Sequence, residues 1–92
     1  MTNTIATPSR TKEILNNYGI KLNKRLGQNF LVDSNIVDII IEASEIQGDE
    51  IILEIGPGIG SLTENVLDEL KTGKLIAVEK DNRFVEILKN LF

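Results

Sequence analysis

The chain has 92 residues, a net charge of −4 at pH 7, and neither cysteine nor histidine. Its length allows one small domain at most, and the missing residue types exclude disulfide bonds, thiolate nucleophiles, Cys/His zinc sites and imidazole acid–base chemistry. No apolar run approaches the length of a membrane span or of a signal-peptide core. The sequence therefore predicts a soluble, cytoplasmic protein without a metal site.

Charge is distributed unevenly along the chain. Residues 1–32 contain five basic side chains against one acidic, which leaves +4, whereas residues 33–92 contain five basic against thirteen acidic, which leaves −8. We interpret residues 1–32 as a basic N-terminal helix and loop, and residues 33–92 as an incomplete α/β domain. A polyanionic partner is expected to meet the N-terminal end.

The first half of the chain predicts two helices separated by a loop. Pro8 at a helix start and Gly19 just past its end indicate a helix over about residues 9–18. Residues 20–30 are too polar and too interrupted by glycine for a regular element. Asp33 or Ser34 can cap a second helix that ends before residue 48. Apolar residues cover most of its circumference, so we expect this helix to be largely buried against a sheet.

The centre of the chain predicts a buried strand, a tight turn and a helix. Residues 51–55 are an apolar, mostly β-branched run, followed by glycine at three alternate positions, Gly56, Gly58 and Gly60, and then by a helix over residues 61–71. Glycines let the backbone approach a ligand closely, and a helix start leaves N–H groups unpaired. Together they indicate a site for a nucleotide-like molecule.

A second strand over residues 74–79 ends in Glu79, about nineteen positions after Gly60, where a ribose-binding carboxylate belongs in such a unit. Asp81 can cap a last helix over residues 82–92. The resulting strand–helix–strand unit predicts a parallel pair of strands. Because parallel strands normally sit in larger sheets covered on both faces, we expect the chain to be the front end of a larger α/β domain.

The glycine spacing discriminates between nucleotide-binding classes. The third glycine follows the second by two residues, whereas the dinucleotide fingerprint G-x-G-x-x-G requires three, which disfavours a nicotinamide cofactor. With Glu54 included, the pattern E-x-G-x-G-x-G resembles the cofactor loop of the Rossmann-like, class I methyltransferases that depend on S-adenosylmethionine (SAM). A turn between strand and helix that binds no ligand remains the structural alternative.

A second motif supports the methyltransferase interpretation. Residues 24–31, Lys-Arg-Leu-Gly-Gln-Asn-Phe-Leu, precede the glycine loop by about 25 residues, and the two motifs in this order resemble the ribosomal RNA adenine dimethyltransferases. Glycine before Gln28 and the loop sequence Gly-Pro-Gly-Ile-Gly favour the small-subunit (16S) branch over the large-subunit, macrolide-resistance branch. The resemblance implies SAM-dependent N6-dimethylation of adenines in 16S ribosomal RNA, with the small ribosomal subunit as partner. The alternative from another class is a non-catalytic nucleic-acid-binding module on the same fold.

The resemblance also implies roles for individual residues. SAM would lie over the glycine loop, Glu79 would accept hydrogen bonds from its ribose hydroxyls, and Lys80 would flank its adenine. The implied cofactor-binding residues are Gln28, Asn29, Leu31, Glu54, Gly56, Gly58, Gly60, Glu79 and Lys80. Lys21, Lys24 and Arg25 are candidates for RNA phosphate contacts, the alternative being a solvated loop.

The family's catalytic Asn-Leu-Pro-Tyr/Phe motif would lie beyond residue 92, so we assign no catalytic residue to this chain. By itself, the 92-residue chain is expected to lack transferase activity and to self-associate.

Overall fold

A computed structural model describes residues 4–21 and 30–92. Within these residues the chain forms, in order, helix α1 (Pro8–Asn17), helix α2 (Ser34–Ser44), strand β1 (Ile51–Ile55), helix α3 (Thr63–Glu69), strand β2 (Lys74–Val78) and helix α4 (Asn82–Leu91). The predicted order of elements is confirmed. Most of the loop predicted over residues 20–30 lies outside the described residues. Among the described residues, none of the helices could span a membrane.

Three helices begin where a polar side chain can cap them. The Thr7 hydroxyl accepts a hydrogen bond from the Arg10 amide at 3.2 Å, and Pro8 follows it as the first residue of α1. Asp33 accepts from the Asn35 amide at the start of α2. The Asp81 side chain accepts from the Arg83 amide at the start of α4. Such caps satisfy amides that have no partner inside the helix, and the predicted start signals are confirmed.

The two strands form a parallel pair, with Ile51 opposite Lys74 and Ile55 opposite Val78. Helix α3 connects them, as predicted. The turns at the entry of both strands are joined, because the Gly48 carbonyl accepts amide hydrogen bonds of 2.8 to 3.0 Å from residues 71–73. A Cβ on Gly73 would lie 2.2 Å from the carbonyl oxygen of Glu50, so this close approach requires glycine.

Two predictions of burial are wrong. Ile51, Leu53 and Ile55 of β1 are 73%, 61% and 72% exposed, since they lie on a face of the sheet that no described element covers. Helix α2 buries only Val37, and Ile39 is 61% exposed. An apolar run predicts that its side chains are buried in a folded protein. It does not predict that residues 1–92 contain the element that buries them.

The hydrophobic core lies between α1, α4 and the glycine loop instead of at the sheet. Its buried members are Ile5, Ile14, Leu15, Ile20, Ile59, Phe84 and Ile87, with Phe30 and Leu91 packed against them. The core therefore contains residues from both sides of position 32, and the division of the chain there remains a prediction from charge alone. Outside the cluster, the side-chain amide of Asn90 donates a hydrogen bond of 3.0 Å to the Tyr18 hydroxyl, which joins the ends of α1 and α4.

Candidate functional site

The turn between β1 and α3 depends on three glycines with positive φ. Gly56, Gly58 and Gly60 have φ of 68°, 61° and 98°, in the left-handed region that other residues rarely adopt. A Cβ on Gly56 would meet no atom within 4 Å, and a Cβ on Gly58 would meet only the Phe30 ring, at 3.6 Å. The backbone at these two positions is therefore open on the side where a ligand could approach.

Glu79 lies directly after β2 and contacts the glycine loop. Its Oε1 accepts a hydrogen bond from the Gly58 amide at 3.0 Å, and its Oε2 accepts one from the Asp81 amide at 3.0 Å. These two backbone donors fix the orientation of the carboxylate. Each carboxylate oxygen has a second lone pair, so both oxygens can still accept a hydrogen bond from a ligand.

A cavity of about 320 Å³ lies above the loop, at the carboxyl ends of both strands. This is the edge of a parallel α/β sheet at which ligands usually bind. Its walls combine two carboxylates with apolar and backbone surface. The lining residues are Phe30, Leu31, Glu54, Ile55, Gly56, Pro57, Gly58, Ser61, Leu62, Glu79 and Phe84. The Phe30 and Phe84 rings pack edge to face, with centroids 5.5 Å apart.

Glu54 is the second carboxylate of the cavity. The Thr63 hydroxyl donates a hydrogen bond to its Oε1 at 2.6 Å. Burial raises the pKa of Glu54, and the Thr63 hydrogen bond opposes that rise in pKa. The cavity therefore holds two carboxylates in different surroundings, since Glu79 accepts from backbone amides and Glu54 from a hydroxyl.

The cavity brings together five of the predicted cofactor residues, Leu31, Glu54, Gly56, Gly58 and Glu79. Gly60 and Lys80 are not in its lining. Gly60 is buried, and a Cβ there would lie 2.6 Å from Cε2 of Phe92. Lys80 is exposed.

The remaining predicted residues belong to the N-terminal third of the chain. Gln28, Asn29, Lys24 and Arg25 lie outside the described residues, and Lys21 is exposed.

Sequence reasoning misses several parts of the cavity wall. The apolar pattern places Phe84 only in the core and Leu62 only on the apolar stripe of its helix, yet both also face the cavity. It also gives no role to Thr63, which is not in the lining of the cavity but donates a hydrogen bond to Glu54. A hydroxyl at a helix start, nine positions after a strand-end carboxylate, is the available signal, but such residues more often cap their own helix.

A family model and several relatives that share one name match this chain. A family model described as ribosomal RNA adenine dimethylase matches residues 19–92. A protein of Halothermothrix orenii named ribosomal RNA small subunit methyltransferase A is 50% identical over 92 residues, which is all of this chain and 30% of that relative. The protein of the same name from Geobacillus thermodenitrificans is 54% identical over 84 residues, 91% of this chain and 28% of its own length. That of Staphylococcus haemolyticus is 52% identical over 85 residues, 92% of this chain and 28% of its own length. The chain thus spans less than a third of these relatives.

Proposed function

This chain belongs to the ribosomal RNA adenine dimethylase family, and we propose that it is the cofactor-binding N-terminal part of an enzyme that dimethylates adenine N6 in small-subunit (16S) ribosomal RNA. The family resemblance, and the Rossmann-like α/β fold expected from it, are confirmed. SAM would supply an electrophilic methyl group. The residues of this chain would bind and orient that cofactor.

The observation that carries the proposal is the hydrogen bond between the Gly58 amide and Glu79. It holds an acceptor-only carboxylate at the rim of a cavity lined by glycine backbone. A ribose presents two neighbouring hydroxyl donors, and Glu79 keeps one acceptor position on each oxygen after its contacts with Gly58 and Asp81. The described residues therefore fit a nucleoside with a free ribose diol.

The rest of the cavity fits the other parts of SAM. The open backbone at Gly56 would let the methionine end of SAM approach closely. The partly buried carboxylate of Glu54 would offer an acceptor to the cationic and polar groups of that end. We assign Leu31, Gln28 and Asn29 to the closure of that end, and Lys80 to the edge of the adenine, following the family resemblance. We assign Gly60 to the shape of the loop, because a Cβ at this position would lie 2.6 Å from the Phe92 ring.

For the RNA we propose contacts with Lys21, Lys24 and Arg25. These cations lie in the basic part of a chain that is otherwise acidic, and cationic side chains provide the salt-dependent part of RNA binding. Lys21 is exposed and lies four residues after the end of α1. The small ribosomal subunit is the partner that this assignment implies, which would make the intact protein cytoplasmic.

The experiment uses the intact protein, labelled SAM, and small ribosomal subunits isolated from cells that lack this methylation. We expect label in N6,N6-dimethyladenine of the small-subunit RNA and none when large subunits replace them. Label in the large subunit alone would favour the macrolide-resistance branch. Failure to label either subunit, by protein that is folded, would contradict the proposed function.

A further inference from the structure

The N-terminal arm, residues 4–7, packs into the interior before α1 begins. Ile5 and Ala6 are buried, and the carbonyl of Ile5 accepts a hydrogen bond of 3.0 Å from the buried Thr11 hydroxyl. Ile5 also belongs to the core cluster that contains Ile59 of the glycine loop. The arm is therefore packed against the same core as the cofactor loop, although about fifty residues separate the two in sequence.

Glu64, in the first turn of α3, joins the arm to the end of the glycine loop. Its Oε2 accepts a hydrogen bond of 2.6 Å from the Ile5 amide, and its own amide donates to the Gly60 carbonyl at 3.1 Å. Glu64 does not line the cavity. Its side chain thus contacts the arm while its backbone contacts the loop.

The loop can transmit this contact to the cavity. Ile59 is 1% exposed and fixed in the core, and it follows Gly58, whose amide holds Glu79. Because protein interiors are closely packed and transmit strain, a shift of Gly60 or Ile59 is passed on to neighbouring residues. Such a shift would move the Gly58 amide relative to the carboxylate.

We propose that Glu64 is a positioning residue for the cofactor. Its hydrogen bond to Ile5 uses the N-terminal arm to hold the glycine loop in the conformation that pairs Gly58 with Glu79. The arm thereby contributes to cofactor affinity without contacting the cofactor. This inference rests on the function proposed above.

The test compares three variants of the intact protein by calorimetry with SAM. Glu64→Ala removes the acceptor and should raise the Kd about two- to thirtyfold, the range expected for a residue coupled to a site that it does not touch. Glu64→Gln keeps an oxygen that can accept from the Ile5 amide and should restore most of the affinity. Glu69→Ala, an exposed glutamate of the same helix, should bind as the wild type does.

Steady-state kinetics separate positioning from a general loss of structure. Glu64→Ala should raise the KM for SAM and leave the rate at saturating SAM unchanged, because it weakens ground-state and transition-state binding alike. If Glu64→Ala does not fold, Glu64→Asp, whose carboxylate is one methylene shorter, takes its place with the same expectation.

Three results would overturn the inference. A Glu64→Ala protein with a lowered melting temperature but an unchanged Kd would show that the arm stabilises the fold only. A folded wild-type protein that does not bind SAM would overturn the proposed function as well. Normal wild-type binding with no difference among the variants would overturn the inference alone.

Discussion

The Thr63 hydroxyl donates a 2.6 Å hydrogen bond to Oε1 of Glu54, so that the start of α3 is tied to the end of β1 across the glycine turn. The contact also affects the pKa of Glu54. Burial raises the pKa of Glu54 from its ordinary value of 4.5, and the hydrogen bond from Thr63 counteracts that rise. Thr63 therefore helps to keep a half-buried carboxylate ionised.

The first prediction concerns the stability of the intact protein as a function of pH. A carboxyl group whose pKa is raised by folding binds its proton more tightly in the folded state. Its contribution to the free energy of unfolding is complete below 4.5 and is lost as the pH rises through the raised pKa. Glu54→Gln should remove this loss, so that its unfolding free energy at neutral pH equals or exceeds that of the wild type.

Urea unfolding from acidic to neutral pH measures this difference. Thr63→Val should steepen the loss of wild-type stability with pH, because it removes the interaction that lowers the pKa of Glu54. Identical pH dependence in the wild type and Glu54→Gln would contradict the prediction. SAM affinity, measured in parallel, should fall in Glu54→Gln if the carboxylate faces the methionine end.

The second prediction concerns Glu79. Hydrogen bonds to a charged acceptor contribute about 1.5 to 3 kcal/mol each, so Glu79→Ala in the intact protein should weaken SAM binding at least about tenfold. Glu86→Ala, an exposed glutamate on α4, is the matched control. Calorimetry that finds equal affinity in Glu79→Ala and the wild type would remove Glu79 from the proposed site.

The juxtaposition of Glu79 with the glycine loop is predictable because it depends on local signals. A strand that ends in glycines, a helix of suitable length and a second strand that ends in an acid constrain one another, since a parallel pair places both strand ends at one edge. The start signals at Asp33 and Asp81 are equally local. Each requires only a few neighbouring residues.

The contact between Ile5 and Glu64 cannot be predicted in this way. The two residues are 59 positions apart. A glutamate in the first turn of a helix is also explained by its favourable interaction with the helix dipole, so the position of Glu64 does not by itself indicate a partner in the arm. The exposure of α2 is missed for a related reason. Periodicity identifies apolar surface, whereas burial depends on which other elements are present to cover it.

The third prediction separates the roles of two glycines. Alanine at Gly56 has open space around it and incurs mainly the cost of positive φ, about 1 to 2 kcal/mol. Alanine at Gly60 incurs the same kind of strain, overlaps the Phe92 ring at 2.6 Å and makes a tight contact with Leu88 at 3.3 Å. Gly60→Ala should therefore lower the melting temperature more than Gly56→Ala does. For the same loss of stability, Gly56→Ala should weaken SAM binding more than Gly60→Ala does.

A double variant tests the assignment of Gly60. Adding Phe92→Ala to Gly60→Ala removes the overlapping ring and should recover part of the lost stability, whereas adding it to Gly56→Ala should give no such recovery. Equal effects in both backgrounds would show that the ring does not explain the requirement for glycine.

The fourth prediction concerns RNA binding by the basic N-terminal region. If Lys21, Lys24 and Arg25 bind phosphates, replacing all three by glutamine should flatten the log–log dependence of RNA affinity on salt by about 0.7 to 0.9 for each phosphate that is no longer neutralised. The matched control neutralises three exposed lysines of the acidic part, Lys71, Lys74 and Lys89. The same slope in both triple variants would identify the N-terminal cations as solvated.

The last prediction concerns the 92-residue chain by itself. The face of the sheet that carries Leu53 and the face of α2 that carries Ile39 are apolar and exposed, and apolar patches of this kind drive association. We expect sedimentation velocity to show dimers or larger species whose fraction increases with concentration. Leu53→Lys and Ile39→Lys each place a charge on one of the two faces, so the variant that shifts the chain toward monomer identifies the contact surface. Asp68→Asn, on exposed α3 surface, makes the same change of +1 in net charge and is the control. A wild-type chain that stays monomeric at high concentration would contradict the prediction.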